Sequence, residues 1–208
     1  MNVVLYGASG MVGSRILAEL VRRGHTVTAV VRNPEKIQTA GVKAVRGDIN
    51  DEASVAATAK GVDAAISAYA PPQSDPEAIV PATRSLLAGL EKANVKRVIV
   101  VGGAGSLNIK PGLRLVDTPD FPAMWKGIAV AHTNLLPVLK ASGADWSYLS
   151  PAALIQPGER TGKFRLGGTE LVTDSKGESR ISAEDYAVAL VDELEHPKHI
   201  RQQFTLAY

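Results

Sequence analysis

Glycines at positions 7, 10 and 13, in the run Gly7-Ala8-Ser9-Gly10-Met11-Val12-Gly13, have the type and spacing that bring a backbone against phosphate oxygens. Gly7 can take a tight turn, Gly10 leaves no Cβ between chain and anion, and Gly13 lets the following helix pack close. The chemistry is anion binding by backbone amides, with Ser9, Met11 and Val12 as neighbours. Two cations follow in Val31-Arg32-Asn33-Pro34-Glu35-Lys36. Arg32 offers a planar fork suited to a phosphate, with Lys36 one helical turn on; the plainer reading is a solvated loop. In Gly47-Asp48-Ile49, Asp48 either accepts from an exocyclic amine, with Ile49 covering the ring face, or caps the next helix. Ser106, closing Gly102-Gly103-Ala104-Gly105-Ser106, is either a catalytic or substrate-binding hydroxyl or a group that satisfies its own loop. His132 either donates a proton or lies on a helix surface, and Lys126 faces the same choice. His196 and His199 flank Pro197-Lys198 without a carboxylate arrangement that calls for a metal.

These residues need elements to hold them. Asn2 to Tyr6 is apolar and β-prone, as a strand buried on both faces should be, and Met11 to Arg23 places apolar residues at helical spacing. Further strands are expected over 26–31, 42–46, 64–67, 97–101 and 146–149, with helices at 51–60, 76–93 and 122–142. This alternation predicts an α/β fold: a doubly wound parallel sheet in one Rossmann-type domain spanning 1–208, with its ligand crevice at the carboxyl ends of the strands. Residues 151–180, broken by five glycines, read as an excursion of loop and short strands over that crevice. Ser182 followed by Glu184 and Asp185 predicts a capped helix to about Glu195, and 203–207 a closing strand. Phe121, Phe164 and Tyr186 are expected in the core, while Tyr69-Ala70-Pro71-Pro72 and Met124-Trp125 offer flat apolar surface to a planar molecule or a subunit.

At 208 residues, 45% hydrophobic and 21% charged, the composition suits one globular domain. A net charge of +2 without like-charge runs gives no reason to expect nucleic acid, and no apolar run approaches the roughly 18 residues of a membrane span. Absence of cysteine excludes disulfides and thiolate chemistry; with an N-terminus that enters a strand directly, it leads to the expectation of a cytoplasmic protein. An NAD-specific site presents an acid after the second strand, whereas Arg32 stands there, so NADP(H) is expected over NAD(H).

Taken together, GxxGxxG after the first strand, VVRNPEK after the second, GD after the third, VGGAGS after the fifth and Ser150-Pro151-Ala152 after the sixth resemble the atypical short-chain dehydrogenase/reductases. The likeness covers nearly the whole chain and is strongest to the NAD(P)H-binding, NmrA-like branch that holds NADH-flavin reductase-like proteins and flavin/biliverdin reductase B. The resemblance implies a nicotinamide near Ser150, Pro151, Ala152 and Ala153, and a substrate approaching between the loops starting at Ala68 and Gly102. One departure stands out: short-chain dehydrogenases that act on alcohols use Tyr-x-x-x-Lys to move a proton, and Met124 to His132 contains no such pair. A flavin or quinone takes hydride into a delocalised ring and collects its proton from water. The expectation is an NAD(P)H-dependent reductase of a small planar substrate, with flavin as substrate rather than prosthetic group. The alternatives are a dinucleotide-binding regulator without turnover and, third, an epimerase or lyase-type enzyme.

Overall fold

The computed structural model describes all of residues 1–208. Strand β1 (Asn2–Tyr6) feeds α1 (Met11–Arg22), and β2 (Thr26–Val31) and β3 (Val42–Arg46) lead into α2 (Glu52–Thr58). Next come β4 (Ala64–Ser67), α3 (Ile79–Lys92) and β5 (Arg97–Val101). A hairpin of β6 (Asn108–Lys110) and β7 (Leu113–Arg114) precedes α4 (Ala123–Thr133), α5 (Leu135–Lys140) and β8 (Asp145–Ser150). The chain closes through β9 (Leu154–Gln156), β10 (Arg165–Gly167), β11 (Arg180–Ser182), α6 (Ala183–Glu195) and β12 (Gln202–Ala207).

Eight strands form one sheet in the order β10-β12-β8-β5-β4-β1-β2-β3, and β10 alone runs antiparallel, against β12. Register such as Tyr6 opposite both Val30 and Ser67 aligns the strand ends, so the loops after β1, β2, β4, β5 and β8 gather at one edge. Both faces are covered. Ile16, Leu20, Tyr186 and Leu190 of α1 and α6 meet one face, and Val55, Leu86, Leu90 and Leu135 of α2, α3 and α5 meet the other. The burial of β1 and β4 on both faces explains their unbroken apolar runs.

Three expectations need correction. The helix expected over 122–142 divides at Asn134, because Pro137 has no N–H to donate to the turn before it. The cap of α2 is Asp51, which accepts from Ala53 N at 3.0 Å; Asp48 instead accepts from the Asn50 backbone and side chain, both at 2.9 Å. Tyr186 is fully buried, but Phe121 and Phe164 are half-buried; Phe121 sits beneath the Lys126 ammonium, 5.9 Å from the ring centre.

Residues 151–180 are held in three places. Strand β9 pairs with β11, β10 extends the main sheet, and Thr169 to Leu171 bond to Asn108. Between β9 and β10 a strap crosses α1 and α6: Arg160 grips Glu19 at 2.8 and 2.9 Å, and Thr161 and Gly162 donate to the buried Asp185.

Candidate functional site

The glycine turn is shaped by two collisions and one opening. Gly7 has φ +82°, and a Cβ there would stand 2.3 Å from the Ala68 carbonyl oxygen; one at Gly13 would stand 2.0 Å from that of Gly7. Both positions require glycine for the backbone to pass. At Gly10 the nearest atom to an added Cβ is 3.5 Å away, so its outer side is free. Gly10 begins α1 with no side-chain cap and no acid in the first turn, leaving the positive helix end available to an anion.

That turn forms one wall of a cleft of about 550 Å3. Gly7, Ser9 and Gly10 line it beside Arg32 after β2, Asp48 and Ile49 after β3, and Ala68 with Tyr69 to Pro72 after β4. Arg32 is exposed and makes no ion pair or hydrogen bond within the chain, so its guanidinium is free. Ile49 is buried apart from its contribution to the cleft wall. Met11, Val12, Gly13 and Lys36 lie behind or beside this cleft rather than in its lining; Lys36 is exposed on a single 3-10 turn.

The loop after β5 is built around Tyr148. An added Cβ at Gly102 would meet its ring at 2.4 Å, the Gly103 N–H donates to its hydroxyl at 3.0 Å, and that hydroxyl donates to the His132 carbonyl at 2.9 Å. Burial pushes the phenol well above its ordinary value, and its proton is already placed. The Ser106 hydroxyl donates to the Gly103 carbonyl at 3.0 Å. Gln203 on β12 donates its amide to Ser106 Oγ at 2.9 Å and to Ser150 Oγ at 3.0 Å. Sequence reasoning missed Gln203; a polar residue alternating with Phe204 and Leu206 on a closing strand was the available signal.

His132 is not a solvated surface residue. Its Cβ packs on Gly103, where an added methyl would meet it at 2.9 Å, and its Nδ1 donates to Ile128 O at 2.9 Å. Burial lowers its pKa from 6.5, so near neutral pH the ring is uncharged and is no ready acid. Lys126 donates to the Val116 carbonyl, which leaves it engaged on its own loop. Pro151 and Ala152 are buried directly after β8, outside the cleft lining, and His199 pairs with Glu193 at 2.8 Å while stacking on Phe204.

A parallel, doubly wound sheet with a glycine turn entering α1 and a cleft across the ends of β1 to β4 defines a Rossmann-type nicotinamide dinucleotide-binding protein. The chain belongs to the NAD(P)H-binding family, whose profile matches residues 7–197. It is 50% identical to a candidate exported protein of Burkholderia pseudomallei, with full coverage of both chains and a TM-score of 0.91. A candidate epimerase of Bacteroides thetaiotaomicron is 44% identical, covering 100% of this chain and 96% of that one, with a TM-score of 0.93. A candidate NADH-flavin reductase of Streptococcus pneumoniae is 35% identical over 100% and 99% of the two chains, with a TM-score of 0.88. The atypical short-chain dehydrogenase/reductase character expected from the sequence stands.

Proposed function

We propose that this protein is an NADPH-dependent reductase that delivers hydride to a flavin, quinone or similar planar ring. One observation carries the choice of acceptor: around the loop after β5 the donors of Tyr148, Ser106 and His132 are all spent on backbone carbonyls. A ketone reduced there would become an alkoxide with no acid beside it, whereas a conjugated ring spreads the incoming charge and takes its proton from water. When bound, the reduced nicotinamide supplies the hydride from its C4 carbon, both electrons going to the acceptor. The chain's own part is positioning: the amides at the start of α1 hold the pyrophosphate, Arg32 holds the 2′-phosphate, and Pro151 and Ala152 flank the nicotinamide. The candidate reductase of Streptococcus pneumoniae supports this reading.

The same inward-turned donors favour a second reading, an NADP(H)-binding regulator without turnover. Oxidation of NADPH, followed at the nicotinamide absorbance with FMN, riboflavin, menadione and aliphatic ketones, separates the two. We expect turnover with the planar compounds and none with the ketones. Tight NADPH binding with no turnover on any planar ring would transfer preference to the regulator. No helix is long and apolar enough to cross a membrane. The cytoplasmic placement we propose rests on the lack of cysteine; the name of the Burkholderia relative points the other way. Fractionation of the native cells with an antibody decides it.

A further inference from the structure

We propose, on the reductase reading above, that Gln203 is a positioning residue that sets the distance between the nicotinamide and the ring that receives its hydride. It does so by tying the end of β8, which leads into Pro151 and Ala152, to the loop after β5, where the acceptor is reduced. Gln203 lies opposite Tyr148 in the parallel pairing of β12 with β8, and Thr205 lies opposite Ser150. From there its amide nitrogen donates to Ser150 Oγ at 3.0 Å and to Ser106 Oγ at 2.9 Å. The partners fix that polarity. Ser106 gives its only proton to the Gly103 carbonyl, so toward Gln203 it can only accept, and the amide must present its N–H groups. Both serines are buried, where a lost donor is not replaced from bulk water.

The bridge stands where the two rings would meet. The dinucleotide cleft crosses the ends of β1 to β4, and beyond β4 the sheet continues with β5 and β8. Neighbouring strands lie roughly 4.8 Å apart, so the second half of a dinucleotide whose pyrophosphate rests at Gly10 runs over those two ends. Ser150 closes β8, and Ser106 closes the turn after β5. The β8 end is itself anchored, since Thr205 donates to the Ser150 carbonyl at 2.9 Å and Tyr186 to that of Leu149 at 2.6 Å. At its start the loop after β5 is fastened to β8 by Gly102 N on Leu149 O and Gly103 N on the Tyr148 hydroxyl. Gln203 fastens its far end, through Ser106. Hydride transfer needs its atoms about 3–3.5 Å apart, so a loop end free to drift by an ångström loses rate. Cofactor affinity, held by phosphates at the other end of the crevice, is spared.

The test follows hydride transfer from NADPH by stopped flow at saturating concentrations, with FMN or menadione, whichever the parent reduces faster. NADPH affinity and the fluorescence lifetime of the bound reduced nicotinamide are measured beside it. Gln203→Leu should slow transfer about tenfold or more, move the NADPH Kd by less than about threefold, and shorten the lifetime toward that of free NADPH. Gln203→Asn, whose amide is one methylene short of bridging both serines, should fall between the parent and Gln203→Leu. Ser150→Ala should slow transfer by itself but add nothing in the Gln203→Leu background, where the bridge is already gone. Should Gln203→Leu not fold, Gln203→Asn and Ser150→Ala are read against the parent in its place. Unchanged transfer and lifetime overturn the proposal, as do fully additive losses in the double variant or a rate that falls only in step with NADPH affinity. A parent that turns over no planar acceptor sinks the reductase reading, and the lifetime then decides by itself whether Gln203 holds the ring.

Discussion

At the β1–β2 end of the crevice the polar groups face outward: α1 starts with no cap, Gly10 presents bare backbone and Arg32 has no partner. At the β5–β8 end they face inward, with Tyr148, Ser106, Ser150 and Gln203 bonded to one another or to backbone. An outward-facing surface waits for a charged ligand that arrives already ionised. An inward-facing one is rigid and supplies shape rather than protons. The division matches a protein that grips a dinucleotide by its phosphates and leaves proton movement to solvent.

The largest effects should come from the outward end. Gly10→Val should abolish dinucleotide binding, measured by calorimetry, and leave the thermal midpoint close to that of the parent, because nothing lies within 3.4 Å of the new Cβ. Gly13→Ala should do the reverse in order, costing about 1–3 kcal/mol of stability first, since its Cβ would overlap the Gly7 carbonyl. If Gly10→Val binds NADPH normally, the outward turn is not the phosphate site.

Next in size is the cation. Arg32→Ala should weaken NADPH by about one to two orders of magnitude and leave NADH nearly unchanged, because a charge-assisted bond to the 2′-phosphate contributes roughly 1.5–3 kcal/mol. Equal losses for the two nucleotides, or tighter NADH binding by the parent, would remove Arg32 from cofactor choice.

The inward end predicts smaller losses. Ser106→Ala removes an O–H already given to Gly103 O, so turnover with a flavin should fall by less than the roughly hundredfold that follows loss of a general acid. Gln203→Leu leaves two serine oxygens without their donor and should cost about 1–3 kcal/mol in a urea melt. A collapse of turnover in Ser106→Ala with stability intact would show that the serine proton is used in catalysis after all.

The same contrast governs what the sequence made legible. Strands β1 to β5 have the bounds expected of them: burial on both faces writes consecutive apolar residues into β1, β4 and β5, while the edge strand β3, with no buried residue, shows only Val42, Ala44 and Val45 between charged neighbours. The place of Gly7, Gly10 and Arg32 in the cleft lining was readable because each lies directly after a strand whose carboxyl end is local in the chain. The inward network was not. Gln203 lies 97 positions from Ser106 and 53 from Ser150, and no local pattern links them. Strands β6, β7, β9, β10 and β11 are two or three residues long, too short to display a period, and Arg165 finds its partner at Ala207. His132 was visible as a residue, but its tautomer depended on a helix that brings Ile128 O to its Nδ1.

The smallest predicted effect tests whether the inward end is as dry as its bonding implies. Burial places the folded-state pKa of His132 below the ordinary 6.5, so between those two values the unfolded chain binds the additional proton. The stability this residue contributes is therefore present above pH 6.5 and lost as pH falls through the folded value. Glu19 behaves in a separate window. Arg160, with Arg22 and Arg23, holds its carboxyl far below the usual range, so its contribution persists above about pH 4.5 and disappears only in stronger acid. Urea midpoints at pH 7.0 and 5.5 consequently isolate the histidine from that cluster. The parent should lose stability over this interval and His132→Gln, which has nothing to protonate, should lose less. Identical losses in the two proteins would mean that water already reaches the ring freely, and the contrast between the two ends of the crevice would have to be redrawn.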